Sequence, residues 1–524
     1  MALFSDIASI LHHERSYPGS SANLRQGREP TASAARFLLP RVDAVTQEVF
    51  ACVEDPSDRF QLRDLYLGWV EAELGPSAIR QELASRWRSR VHRRPVSETD
   101  ILTGEATCGF VKELFNFYFR DDLYGLLRSD DHIILSSGSV DHSLYSLPAV
   151  LKDCLHYALH RDWYGYSDSR GRLPTRDALA QLENVRVEGA PYTSANIVVA
   201  IGGTWTVSAV ADFLGTCHRQ DRSPALCGVP GYPPLVEAIS RRQRVALIPL
   251  PLHDGFTRLD PLIEALRPDT PLVLLQSVIN PTGSPVYEPD LARLIERAAP
   301  STFVILDECH ECLGPALQRS SARARRHVIR VNSLSKALSV PGMKIGWFTA
   351  DVDVVRGFYE YASTSYGSPP SLFYLLLEVM ARMERWLLEG LDRVGHEQYA
   401  EFEREYGLTE GALNTAFESY RRERLGHDAD LIACRERTVA AAAEVGATVV
   451  PPSYSLNVLL KPPTAFHSYL SFRRTLARAG VATYPGGLCF GLDDGWLRVS
   501  PGVAPSSLCR ALQRLQSMWR EEGR

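Results

Sequence analysis

A lysine framed by small hydroxyl residues, Asn332-Ser333-Leu334-Ser335-Lys336, follows the β-rich run His327–Val331 and precedes the Gly-bounded stretch Ala337–Gly346. Once its pKa is lowered, such an amine is nucleophilic and forms a reversible imine with an aldehyde. Four further groups stand in order along the chain. Asp307 ends the apolar run Thr302–Leu306, and Asn280 opens the turn Asn280-Pro281-Thr282-Gly283. Gly202-Gly203-Thr204 joins a strand-like run to a helix-like one, where backbone N–H groups close on an anion. Arg498, inside the strand-like Trp496–Ser500, is either paired internally or aimed at an anion, for which a carboxylate is the natural bidentate partner.

An aldehyde, a ring nitrogen and a phosphate are the three handles of pyridoxal 5'-phosphate (PLP), and this order of groups suits all three. Lys336 serves the aldehyde. Asp307 pairs with the protonated ring nitrogen and keeps the ring electron-poor, although a strand-end aspartate is also a common N-cap. Asn280 donates to the 3-oxygen and tunes the imine pKa, within what is in any case a Pro-Gly turn. Gly202, Gly203 and Thr204, with Ser333, Ser335 and Lys344, form a phosphate cup, each charge-assisted bond contributing ~1.5–3 kcal/mol. Lys344 reads equally as a solvated surface lysine. Tyr232, in Pro230-Gly231-Tyr232-Pro233, offers a ring for stacking on the pyridine; taken alone it would be a surface or core tyrosine.

The elements that must position these groups are legible from Ala195 onward. Apolar runs Ile197–Ile201, Val245–Leu250, Leu272–Val278, Phe303–Asp307, Val328–Val331 and Ile345–Thr349 alternate with helix-like stretches. Fully apolar strands separated by helices predict an α/β domain, a largely parallel sheet with helices on both faces. The expected division is a helical N-terminal extension (1–128), a large cofactor-binding domain (129–390, with an arm 129–185), a helical connector (391–430) and a small α+β C-terminal domain (431–524). Within the extension, Leu62–Leu74 and Ser77–Arg90 have helical spacing; in the last domain, Tyr454–Leu460, Ser468–Ala479, Gly495–Val499 and Ser506–Arg520 alternate.

Bulk properties exclude several classes. The 524 residues are 45% hydrophobic and 23% charged, with a formal net charge of −5 that gives no global attraction to nucleic acid or anionic membrane. No apolar run approaches the ~20 residues that span a bilayer. Met1–Gly19 carries charges where a signal peptide is apolar. A cytoplasmic protein is expected, without nucleic-acid or membrane partners. Ten cysteines are scattered, and Cys309-x-x-Cys312 reads as small buried thiols, not a redox or metal motif.

Together these motifs resemble the fold-type I PLP-dependent enzymes, in particular the class I/II aminotransferase superfamily, from about Asp131 to the C-terminus. The resemblance implies that Lys336 forms the Schiff base and shuttles protons, and that Asp307 pairs with the pyridine nitrogen. It implies that Asn280 and Tyr232 hold the ring and that Arg498 binds the substrate α-carboxylate. Tyr166, in Tyr166-Ser167-Asp168-Ser169-Arg170-Gly171, resembles the tyrosine that reaches a neighbouring subunit's phosphate, which implies a homodimer with shared sites. Three positions depart from the family pattern. His310 stands where a tyrosine is usual; it titrates near neutrality and is a candidate acid/base. Lys344 replaces an arginine, and Ser363 stands where dicarboxylate-specific members carry one.

An aminotransferase acting on an amino acid is therefore expected. The alternative is a PLP-dependent lyase, cyclase or γ-replacement enzyme of specialised metabolism, taking an S-adenosylmethionine-like or nucleotide-like substrate. The run Arg319–Arg326 is read as a solvated loop, with a phosphorylated substrate as its less favoured role. A regulator with a DNA-binding head ranks third, since the basic run Arg86–Arg94 reads as well as a solvated helix face ending at Pro95.

Overall fold

The computed structural model describes Leu3, Ala35 and residues 37–91, 94–217, 223–315, 319–491 and 493–523. The centre of the molecule is a seven-stranded sheet: β1 (Ile197–Ala200), β2 (Ala225–Val229), β3 (Val245–Pro249), β4 (Leu272–Gln276), β5 (Phe303–Asp307), β6 (Val328–Ser333) and β7 (Gly346–Thr349). Their spatial order is β1-β7-β6-β5-β4-β2-β3. Strands β3 to β6 and β2 pair in parallel, with Leu272 opposite Phe303 and Val304 opposite Val328. Only β7 runs against its neighbours, β6 and β1.

Both sheet faces are covered, which is why the strands are largely apolar on both faces rather than alternating. Val198, Cys227, Leu274, Ile305 and Ile329 pack with the helices Gly202–Cys217 and Pro233–Ser240. The intervening residues Val199, Val273, Leu275 and Leu306 pack with the helices Leu173–Arg186, Glu288–Arg297 and Tyr374–Leu388. All six expected strands are present. The seventh, Ala225–Val229, was not expected: its short run of small residues includes Gly228, and glycine is a poor strand former.

N-terminal to the sheet lie the helices Ala44–Cys52, Arg59–Leu74, Gln81–Arg88, Glu98–Leu102 and Glu105–Phe117. The second starts where Asp58 accepts from the Phe60 and Gln61 amides and ends at Gly75, whose φ of +54° no side chain favours. These helices share one apolar core with the sheet and with Tyr469, Phe472 and Leu497 of the C-terminal region. In the basic run, Arg86 pairs with Asp64 at 2.9 Å, and Arg90 lies 3.5 Å over the ring of Trp87 and pairs with Glu48, while residues 92 and 93 lie outside the described residues.

The C-terminal region carries an antiparallel sheet of β8 (Thr448–Val450), β9 (Val458–Lys461), β10 (Tyr484–Pro485) and β11 (Leu497–Val499), in the order β8-β9-β11-β10. A 34-residue helix, Glu410–Ala443, leads into it. The boundary expected at 430 falls inside that helix.

The run Arg319–Arg326 is not a solvated loop. Arg319 and Arg323 are buried in an ion cluster behind the active-site strand β5. Glu308 accepts from Arg330 Nε (2.9 Å) and Nη2 (2.7 Å), from Arg323 Nη1 (2.7 Å) and from Asn332 Nδ2 (3.0 Å). Arg323 also pairs with Glu288 and Glu311 at 2.7 Å, and Arg330 with Glu183 at 2.6 Å. These guanidiniums hold the Glu308 carboxyl well below the usual range despite burial. Such a cluster is stable only while every member stays paired, so these two arginines are not available to a phosphorylated substrate. Arg326 faces solvent, paired with Asp351 and Asp353.

Candidate active site

Strand β6 delivers Lys336 into the sheet's C-terminal end. The Ser333 side chain caps the short helix Leu334–Ala337 by accepting from the Ser335 amide at 3.1 Å. Lys336 Nζ donates to the Gly138 carbonyl at 2.5 Å. Burial, and then the nearby charge of Arg498, lower its pKa to about 8, so a large share of the amine is neutral in mildly alkaline solution. The pocket around it is lined by Gly138, Val140, His310, Ser335 and Asn457 among others. Gly138 has φ +62°, and a Cβ there would stand 3.4 Å from Arg498 Nη2 and 3.6 Å from Lys336 Nζ. Only glycine suits both the turn and the opening.

Asp307, at the end of β5, is buried. Its Oδ2 accepts from Gln276 Nε2 (2.9 Å) and its Oδ1 from the Cys309 amide (3.1 Å). Burial pushes its pKa up, and no ion pair within 4 Å offsets this among the described residues. Glu308, next in the chain, anchors β5 through the ion cluster.

Arg498 on β11 donates from Nη1 to Asn280 Oδ1 (3.1 Å) and from Nη2 to the Ser136 carbonyl (2.7 Å). Its guanidinium lies 4.0 Å over the Tyr484 ring, and its buried Nε has no partner. Asn280 Oδ1 is also 3.5 Å from Asn457 Nδ2. With the oxygen engaged, the NH₂ group is the function Asn280 has left to offer. Tyr232, half-buried, caps the helix Pro233–Ser240 and meets Phe115 of the N-terminal helices edge-on, ring centres 5.8 Å apart.

Gly202 and Gly203 start their helix beside β6 and β7. A Cβ on Gly203 would lie 2.7 Å from Cys309 Sγ and 3.8 Å from Ser333 Cβ, and one on Gly202 would meet the Lys344 backbone at 3.5 Å. Thr204 and the Lys344 side chain are exposed at this rim, so the glycines, Ser333 and Lys344 converge. Ser335 instead lines the cavity beside Lys336. Tyr166 is fully exposed. Cys309 and Cys312 remain free thiols.

His310 corrects the expectation that it titrates near neutrality. It is buried, with Nδ1 3.0 Å from Ser455 Oγ. Burial, then the charges of Lys336 and Arg498, push its pKa down to about 3. It is therefore a neutral hydrogen-bonding group rather than an acid/base. As pH falls from 6.5 towards 3, the unfolded chain binds this proton and the native one does not, so stability falls through that window. In the cofactor-free protein, His310→Asn should flatten the fall of the urea midpoint between pH 6.5 and 4. An equally steep fall would show the histidine is charged in the native state.

The arrangement fits PLP in three respects. A buried carboxylate at β5 lacks a cation within 4 Å among the described residues, as a ring-nitrogen partner requires. Gly203 lets the helix start sit close against Cys309 and Ser333, where any side chain would clash. Arg498 has an orphaned N–H on a buried fork. Several contributors escaped the sequence: Gly138, Ser136, Gln276 and Asn457 supply backbone or amide contacts, Ser455 a hydroxyl to His310, and Phe115 supports Tyr232. The Ser-Ser-Gly-Ser turn at 136–139 was the one available signal.

The profile of the family described as aminotransferase class I and II matches residues 130–394. The chain is 25% identical over 392 residues to an aspartate/prephenate aminotransferase of Thermus thermophilus, covering 73% of this chain and 90% of that protein. Over 113 residues it is 34% identical to an aromatic amino acid aminotransferase of Mycolicibacterium vanbaalenii, covering 21% of this chain and 32% of that one. An aromatic aminotransferase from Pyrococcus horikoshii superposes with a TM-score of 0.61 at 19% identity, covering 76% of this chain and 97% of that chain; at this identity the likeness speaks for the fold. The fold is accordingly that of the fold-type I enzymes, and the chain belongs to the aminotransferase class I and II family of PLP-dependent transferases.

Proposed function

We propose that the protein is an aminotransferase acting on amino acids with apolar side chains, as a homodimer to which Tyr166 contributes across the subunit interface. The observation that carries this reading is a low-pKa Lys336 close to a buried, underused Arg498, both within 4 Å of where a Cβ on Gly138 would stand. The names of the relatives favour transamination over the lyase or cyclase alternative.

Asp307 would hold the ring nitrogen, Asn280 and neutral His310 the 3-oxygen side, and Tyr232 one ring face. Gly202, Gly203, Thr204, Ser333 and Lys344 would hold the phosphate, with Ser335 placed nearer to Lys336. When bound, PLP supplies the electron sink that makes the amino acid's Cα–H bond acidic. Lys336, neutral near pH 8, accepts that proton at Nζ and returns it. Arg498 binds the α-carboxylate with the N–H groups that Asn280 and Ser136 leave unused, since guanidinium has five. That contact aligns the Cα–H bond with the lysine. Tyr484 and Asn280 hold the guanidinium still.

Side-chain specificity follows from the wall of the cavity: Val140, Leu313, Leu431 and Leu456 are apolar, and Ser363 is exposed on its helix with its Oγ donating to the Glu360 carbonyl at 2.8 Å. A carboxylate side chain would lose its hydration there without a counter-ion. With PLP and a keto-acid acceptor, leucine, methionine and phenylalanine should exceed aspartate in kcat/KM by about 100-fold or more. Preference for aspartate, or no keto acid from any donor, would remove the proposal.

A further inference from the structure

Far from the lysine cavity, three donor side chains meet where the N-terminal helices dock on the C-terminal region. One ligand atom each of Asp43, His467 and Asp493 lies within 4.8 Å of the others. The site comes from opposite ends of the chain. His467 and Asp493 are 2% and 4% exposed, while half-buried Asp43 leaves a way in from solvent.

Each group is held by neighbours. Asp43 caps the helix Ala44–Cys52, accepting from Thr46 N at 2.9 Å and Thr46 Oγ1 at 2.6 Å. Asp493 accepts from the Ser468 amide at 2.5 Å and from the Tyr66 hydroxyl at 3.3 Å. His467 Nδ1 accepts from the Leu470 amide at 3.4 Å, which turns Nε2 towards Asp493. The rings of Trp69 and Tyr66, 4.2 and 5.3 Å from the imidazole, exclude water.

Nε2 lies 3.3 Å from Asp493 Oδ2 yet makes no hydrogen bond to it or to any other described group. The distance is that of a bond, and the direction is not. Two donors on one tetrahedral ion, each at about 2.0–2.1 Å, stand about 3.3–3.4 Å apart.

We propose that Asp43, His467 and Asp493 form a divalent-cation site that ties the helical extension to the C-terminal region. One imidazole nitrogen and two carboxylate oxygens suit zinc, with water in the fourth position. The clip fixes the helices that back Tyr232, and so places the extension in the service of the active site without entering its chemistry.

The full-length protein, stripped with EDTA and dialysed against zinc chloride, should retain one zinc per chain by mass spectrometry. Cobalt chloride in its place should give the visible absorption of a tetrahedral ion, and zinc should raise the thermal midpoint. His467→Gln should weaken zinc at least about tenfold, since even outer-sphere partners carry that much. Asp43→Asn keeps an equally good helix cap, so it folds, and should show a loss of similar size. Retention well below one equivalent would overturn the site and leave an imidazolium–carboxylate pair in its place. So would zinc affinity unchanged in Asp43→Asn.

Discussion

Lys336→Ala should lose at least about 10⁴-fold in kcat with its best amino acid, because the base proposed to take and return the Cα proton would be gone. The loss should fall on kcat more than on KM, since the lysine would act on the reacting atom while Arg498 would still bind the carboxylate. Steady-state keto-acid formation measures the first part. A second readout separates chemistry from folding: borohydride treatment of the wild type should leave a cofactor-modified peptide containing residue 336, and the variant should yield none. A variant retaining a few per cent of wild-type turnover would move the base elsewhere. The environment also sets a pH dependence. With Nζ depressed to about 8 by burial and by Arg498, the cofactor-free protein should react with PLP faster as pH rises through 8.

Arg498→Ala should lower kcat/KM by about 10²–10⁴-fold. Two charge-assisted bonds to the α-carboxylate contribute ~1.5–3 kcal/mol each, and ~1.4 kcal/mol is tenfold in rate. Most of the loss should fall on KM, because the contact exists before the Cα–H bond breaks. Arg498→Lys keeps the charge and loses the fork; a loss of at least about tenfold should remain. The substitution also strips Asn280 Oδ1 and the Ser136 carbonyl of a donor. The thermal midpoint of the lysine variant therefore serves as the check on folding. Equal KM values for wild type and both variants would show that another group holds the carboxylate.

The ion cluster behind β5 anchors the strand end that presents Asp307. Asp307 and Glu308 are consecutive: one faces the cavity side of the sheet, and the other is clasped by Arg330 and Arg323. Breaking one member of such a buried pair costs about 3–5 kcal/mol, which would be transmitted to the strand end that presents Asp307. The N-terminal helices support the site from another side. Phe115 meets the ring of Tyr232, and Tyr118 meets Tyr484 at 5.5 Å, the ring under Arg498.

What the sequence determined alone was local chemistry in its order along the chain. Lys336 between serines, Asp307 at the end of an apolar strand, Asn280 in its turn and the glycine pair at a helix start are each short-range patterns. A strand buried on both faces announces itself as an unbroken apolar run. Tertiary structure decided everything that depends on charge meeting charge across the chain. A run of arginines has the same composition whether solvated or buried, and Arg323 is buried only because Glu288, Glu308 and Glu311 surround it. His310 lost its titration at neutral pH to burial and to two cations, one of them on a strand of the C-terminal sheet. Asp43 and His467 are unremarkable until the first and last parts of the chain pack together. Burial and Coulomb energies depend on distance in space, which spacing along the chain does not encode.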